Sequence, residues 1–271
     1  MEINRANIIE ITNGFGVKPD KDYGQNFLID PIICSKIVQN FTFFENCKVL
    51  EVGPGIGSLT HFFNLAKVDY TGVDIDERMI EFLKYHYQDS KTKFEVSDIR
   101  KFDIKSFDFI CANLPYNITT DLISYLLINC ERCKKLVLMC QSETLNHFID
   151  IYGKEYGPTS VLIHLLGNIK RLFNVKPGSF YPSPKCTSTV FEIQLNPEVI
   201  KKDAVNTYFF TKKMFLNRRK TIFNNLSNYL NDKDLAIEIL SKCSISLDTR
   251  PEAITPNDFL KLYRKSCLEK H

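Results

Sequence analysis

Four residues, Asn113-Leu114-Pro115-Tyr116, close an apolar run from Phe107 to Ala112 that reads as a strand. Their types suit chemistry on an exocyclic amino group of a flat base. Such a nitrogen is a weak nucleophile because its lone pair is delocalised into the ring. A catalyst must therefore hold it with acceptors that favour the pyramidal form. The side-chain carbonyl of Asn113 and the backbone carbonyl of Leu114 supply two acceptors, and Pro115 stiffens the turn that aims the second. Tyr116 offers a ring for the base to stack on. Alone, a four-residue match reads first as a strand-ending turn with a Pro and a buried Tyr, because short motifs recur by chance.

The elements that would position this turn alternate in period. Asp30 can cap and Pro31 open a helix with Ile32, Ile33, Ile37 and Val38 on its apolar side. Lys48–Val52, Asp69–Asp74, Lys93–Val96, Phe107–Ala112 and Lys135–Cys140 read as strands. Helical periods fall at Ser58–Lys67, Glu77–Tyr87 and Thr120–Ile128. This alternation predicts an α/β fold of parallel crossover units covered on both faces. After a helical stretch at Ser160–Leu166, Ile169–Val175 and Thr187–Gln194 read as a late β pair joined by a Pro-rich loop. Asn196-Pro197 marks a boundary, giving a catalytic domain over 1–196 and a small all-α domain over 197–271 with four short helices.

The first of these strands runs into Glu51-Val52-Gly53-Pro54-Gly55-Ile56-Gly57, where glycines permit close backbone approach to a ligand. A dinucleotide fingerprint wants G-x-G-x-x-G, and here the third glycine comes one position early. Pro54 removes an amide that could bind phosphate, while Glu51 repels an anion and welcomes an ammonium group. The pattern favours S-adenosylmethionine over a dinucleotide. Asp74, ending the next strand, is placed for two ribose hydroxyls, and Asp98, after the following strand, for an adenine amine. Singly, each acid reads as a solvated or capping residue. In this order at strand ends they read as a cofactor site, with Gly53 and Gly55 approaching the ligand.

The bulk properties fit an ordinary globular protein, with 44% hydrophobic and 25% charged residues over 271 positions. The net charge of +3 is uneven: Asn196 to His271 holds 14 Lys/Arg against 9 Asp/Glu, a surplus that suggests a polyanionic partner. Nine cysteines scattered through apolar runs indicate a reducing compartment. Cys130 and Cys133 have metal-ligand spacing but no second pair, so no metal site is expected. Without an apolar leader or spanning segment, the expected location is the cytoplasm and no membrane contact is expected.

Five motifs in order carry a resemblance: Tyr23-Gly24-Gln25-Asn26-Phe27-Leu28, the Glu51–Thr60 turn, Asn113-Leu114-Pro115-Tyr116-Asn117-Ile118, Phe180-Tyr181-Pro182-Ser183-Pro184-Lys185 and Asn217-Arg218-Arg219-Lys220-Thr221. From about Lys18 onward the chain resembles the ribosomal RNA adenine dimethyltransferase family. Arg218 to Thr221 and Arg250-Pro251-Glu252 resemble its small-subunit branch. The resemblance implies a Rossmann-like methyltransferase sheet with a helical rRNA-binding domain. It also implies N6,N6-dimethylation of adenosines in small-subunit ribosomal RNA, acting as a monomer on a pre-assembled subunit during ribosome biogenesis. S-adenosylmethionine would be held by Asn26, Leu28, Gly53, Asp74, Asp98 and Asn113, and the base clamped between Tyr116 and Phe180. Asp74 departs from the family's usual Glu, shortening the reach to the ribose. Asp22-Tyr23 replaces a basic and apolar pair.

The expected mechanism needs no metal and no strong base, since alignment and charge stabilisation at Asn113 and Leu114 suffice. Phe180 has two readings, a stacking ring or an anchor pinning its loop to the core. The cluster Lys212, Lys213, Arg218, Arg219 and Lys220 is either a phosphate-contacting surface or a solvated helix face. A DNA adenine methyltransferase, an RNA-binding relative without catalysis, and a dehydrogenase are the competing classes. The intact Asn113 tetrapeptide and the glycine spacing argue against the last two.

Overall fold

Strands that read as near-continuous apolar runs need cover on both faces, and the centre of the molecule provides it. The computed structural model describes residues 1–20, 24–88, 91–114 and 118–268. It divides into two units, Met1–Ser142 with Lys170–Gln194, and Glu143–Ile169 with Leu195–His271. Among the described residues nine strands form: β1 (Phe27–Leu28), β2 (Lys48–Val52), β3 (Asp69–Asp74), β4 (Thr92–Val96), β5 (Phe109–Asn113), β6 (Lys135–Gln141), β7 (Gly167–Val175), β8 (Phe180–Tyr181) and β9 (Ser188–Leu195). The helices of the first unit are α1 (Ile8–Gly14), α2 (Pro31–Val38), α3 (Thr60–Leu65), α4 (Glu77–His86) and α5 (Thr119–Asn129).

Seven strands make one sheet in the order β4-β3-β2-β5-β6-β9-β7. β2 pairs in parallel with both β3 and β5, and β9 runs antiparallel to β6. The chain thus steps outward from β2 to β4, then returns to β5. That reversal opens a crevice beyond the carboxyl ends of β2 and β5, where open α/β sheets take ligands. Val49, Leu50, Ile110, Leu136 and Val190 are fully buried, as two covered faces require. Asp30 caps α2 by accepting from the amides of Ile32 and Ile33, with Pro31 behind it, as the sequence predicts.

Two elements fall outside the sequence expectations. α1 docks Ile8 and Ile11 into the core beside Ile3 and Val17. β1 and β8 form a separate two-stranded ribbon in which Phe27 faces Tyr181 and Leu28 faces Phe180. Two-residue strands are too short for any period to reveal.

The second unit is helical: α6 (Asn146–Ile149), α7 (Pro158–Leu166), α8 (Lys201–Met214), α9 (Ile222–Leu230), α10 (Lys233–Lys242) and α11 (Pro256–Leu268). α7 is buried along nearly its whole length and packs on α8 and α11. The grouping therefore does not follow a single cut at 196, because this apolar helix joins the later ones although it precedes β7. Thr221 caps α9 through the amide of Asn224, and Asp232 caps α10 through that of Leu235.

Candidate active site

The turn after β2 holds Gly53, Gly55 and Gly57 with φ of 69°, 53° and 87°, a region that strains other residues. Only part of this freedom faces a ligand. A Cβ on Gly57 would lie 2.6 Å from Leu83 Cδ2, and one on Gly55 3.2 Å from the Phe27 ring, whereas on Gly53 it would meet nothing within 4 Å. Gly57 and Gly55 thus admit α4 and the β1 ribbon against the turn.

Beyond the strand ends lies a cavity of about 320 Å³ lined by Asn26, Leu28, Glu51, Gly53, Gly55, Asp74, Asp98, Asn113 and Leu114, with further apolar and polar groups, Arg100 and Asp121 among them. Its volume is within the range of small-molecule sites. All the cofactor-binding residues expected from the sequence reach this one space. Tyr116 and Pro115 lie outside the described residues.

Among the described residues four carboxyl groups, those of Glu51, Asp74, Asp98 and Asp121, line the cavity, the first three from the strand ends. Glu51 is 3% exposed, and its Oε2 accepts from the Tyr70 hydroxyl at 2.5 Å and from Thr60 Oγ1 at 3.3 Å. Burial pushes its pKa up to about 7, against the pull of those two hydroxyls. Asp74 accepts from the Gly55 amide at 3.1 Å through Oδ2 and from the Asp76 amide at 3.0 Å through Oδ1. Desolvation raises its pKa too, against the pull of the backbone amides of Asp76, Gly55 and Ile75, and the carboxylate keeps acceptor capacity. Asp98 is engaged differently. Arg100 grips it with Nε at 3.0 Å and Nη2 at 2.6 Å, which holds its pKa down.

At the end of β5, Asn113 Nδ2 donates to the Asn26 carbonyl at 3.1 Å. The Leu114 amide donates to the Met139 carbonyl at 3.0 Å, fixing the start of the turn, and the Leu114 side chain is 1% exposed. Phe180 is placed differently from its stacking reading. It is 3% exposed, sits in the apolar cluster with Phe27 and Leu28, and does not line the cavity, so burial supports the anchor reading.

S-adenosylmethionine presents an ammonium, a ribose diol and an adenine, and the lining suits each. Glu51 offers an acceptor to a cation, and Asp74 retains acceptor capacity for hydroxyls. The apolar Ile75, Ile99 and Leu122 line the same cavity as Asp98 and offer surface to a ring. Among the described lining residues the single cation, Arg100, pairs with Asp98, which disfavours a pyrophosphate. Sequence reasoning missed Arg100, Gln25 and Ile75. The apolar residue directly after Asp74 was the one available signal. Among the described residues no cluster of three or more His, Cys, Asp or Glu could hold a metal. Cys130 and Cys133 are both buried.

The comparisons with known proteins agree with this geometry. A family model described as ribosomal RNA adenine dimethylase matches residues 16–265. A ribosomal RNA small subunit methyltransferase A from Malacoplasma penetrans is 37% identical over 257 residues, covering 91% of this chain and 90% of the relative. One from Sulfurimonas denitrificans is 34% identical, covering 90% and 92%. A dimethyladenosine transferase from Plasmodium falciparum superposes with a TM-score of 0.74 at 25% identity, covering 87% and 95%. The 23S rRNA methyltransferase ErmE shares the fold, with a TM-score of 0.67 at 19% identity over 89% of this chain and 99% of that one.

Proposed function

The chain belongs to the ribosomal RNA adenine dimethylase family and is an S-adenosylmethionine-dependent methyltransferase of RNA adenines; on that premise we propose that it dimethylates the N6 of adenosines in small-subunit ribosomal RNA. The observation that carries the reading is the cavity at the ends of β2, β3 and β5, lined by Glu51, Asp74, Asp98 and the Asn113 amide, with Asp121 as a fourth carboxyl group.

Bound there, S-adenosylmethionine supplies a methyl group already activated by the sulfonium. Everything else falls to the chain. Glu51 would accept from the ammonium, Asp74 from the ribose hydroxyls, and Asp98 would share its carboxylate between Arg100 and the adenine amine. Oδ1 of Asn113 and the Leu114 carbonyl would accept from the target amine, orienting it and stabilising charge that grows on nitrogen. The proton leaves to water. The adenine must be unstacked to arrive, costing a few kcal/mol, and Tyr116 offsets about 1–3 kcal/mol by stacking. Phe180, buried with Phe27 and Leu28, serves by anchoring its own loop.

The helical unit is assigned the RNA. Lys212, Lys213, Arg219 and Lys220 are exposed on it, which fits phosphate contacts. The substrate is taken to be a pre-assembled small subunit, met by a monomer in the cytoplasm. No described helix is long and apolar enough to cross a membrane. Incubating small subunits with the protein and labelled S-adenosylmethionine, then mapping modified nucleotides by mass, should find dimethyladenosine. Label on no adenosine of the small-subunit RNA refutes the proposal.

A further inference from the structure

The bond from Asn113 Nδ2 to the Asn26 carbonyl decides which way the amide faces. A carbonyl oxygen only accepts, so one orientation is allowed, with the nitrogen toward Asn26 and Oδ1 turned away. Asn26 itself sits in a segment held on both sides. Upstream, Gln25 Nε2 donates to Asp76 Oδ2 at 3.0 Å, and Gln25 Oε1 accepts from the Asp20 amide at 2.9 Å. Asp76 is 4% exposed and is fixed by Arg78 through Nε at 2.9 Å and Nη2 at 2.7 Å while it caps α4. Downstream, β1 is pinned to β8, and the Ile29 amide donates to the Ser179 carbonyl at 2.8 Å.

We infer that the Asn26 carbonyl, held by the Gln25–Asp76 latch, is the positioning group for Asn113, and that it makes an amide rather than a carboxylate necessary at that position. The inference rests on the reading of Asn113 Oδ1 as the acceptor for the target amine. An Asp at 113 would keep that acceptor. It would also set a second, charged oxygen against the Asn26 carbonyl in a half-buried place, which is repulsive. Protonation would turn that oxygen into an O–H donor and restore the bond.

The test compares Asn113→Asp, Asn113→Ala and Gln25→Ala with the unmodified protein, reading kcat and KM for RNA and S-adenosylmethionine across pH, with melting temperature and calorimetric cofactor binding as folding controls. At about pH 8, Asn113→Asp should be nearly as inactive as Asn113→Ala. Relative to the unmodified protein it should regain about tenfold in kcat on acidification toward the ordinary carboxyl range. Gln25→Ala should lose about tenfold in kcat with KM changed less than about threefold, the signature of misplacement rather than lost binding. An active Asn113→Asp at about pH 8 beside a dead Asn113→Ala, or a flat pH ratio, overturns the inference and leaves the role of Asn113 standing. An active Asn113→Ala overturns that role itself. A Gln25→Ala protein with full kcat removes the latch.

Discussion

The cavity of the first unit and the basic segment of the second both hold polar side chains picked out by motif, yet they use them in opposite ways. At the cavity, Glu51 and Asp74 are buried, each held by one or two hydrogen bonds, and still have an acceptor to offer. In the segment, Arg218 belongs to the same basic run as Arg219 and Lys220, but its guanidinium is committed. Nη2 donates to the carbonyls of Lys154 at 2.8 Å and Tyr156 at 3.1 Å, and the group lies 5.3 Å over the Phe215 ring. Phe215 in turn packs edge-on against Tyr156 and beside Phe259. Where a fold must bury a charge to offer it, position reveals function. Where charge stays at the surface, only partners separate a free cation from a structural clasp.

Phe180→Ala bears most heavily on this contrast. If the ring is the anchor that its burial indicates, truncation should cost about 3–5 kcal/mol of stability, read as a lowered unfolding midpoint, with little change in kcat at a temperature where the protein is folded. A stable variant with collapsed turnover would return Phe180 to the base.

Next comes Asn113→Ala, expected to keep the fold and lose at least about a hundredfold in methyl transfer, the scale for one preorganised partner of a transition state. Near-normal turnover would erase the distinction between a site of converging groups and a stretch of ordinary turn.

Glu51 sharpens the electrostatic side. Its folded pKa of about 7 stands above the ordinary 4.5, so the stability it contributes is complete below 4.5 and is lost as pH rises through about 7. Cofactor binding runs the other way, since an ammonium prefers the ionised form. Affinity for S-adenosylmethionine should fall by up to about tenfold per unit as pH drops below that value. Titration calorimetry on Glu51→Gln should show a flatter profile, and identical profiles would place the ammonium elsewhere.

The smallest effects separate the clasp from its neighbours. Arg218→Ala should lower the melting temperature by about 2–4 °C, with the salt dependence of RNA-particle binding unaltered. Replacing Lys212, Lys213, Arg219 and Lys220 together should flatten that log–log slope by up to about three or four units, with the melting temperature and cofactor affinity held. If Arg218 alone moves the slope, the commitment seen in its hydrogen bonds does not hold in solution.

Much of the sheet is readable in the chain, because β2, β3, β5 and β6 are apolar runs long enough for their period to show and α2 carries its own Asp30 cap. The acids Glu51, Asp74 and Asp98 are legible for the same reason: each stands at a strand end, and parallel strands bring their ends together. Motifs alone misdirect where the partner is distant. The glycine turn reads as one that meets a ligand at Gly53 and Gly55, and both line the cavity, yet Gly57 serves the packing of Leu83 and Gly55 also that of Phe27.

By itself, then, the sequence determined the alternation of strands and helices, the order of the acids and the tetrapeptide that closes β5, since these depend on neighbours within a few residues. Only the tertiary structure decided the orientation of the Asn113 amide by Asn26, 87 residues away, the grip of Arg100 on Asp98, the burial of Phe180 opposite Leu28, and the capture of Arg218 by a loop 62 residues upstream. Apart from that local grip, each is a contact between segments that meet only when the chain is folded. Even Arg100, two residues from its partner, is a largely exposed cation with other rotamers open to it, and the choice among them is set by what surrounds it.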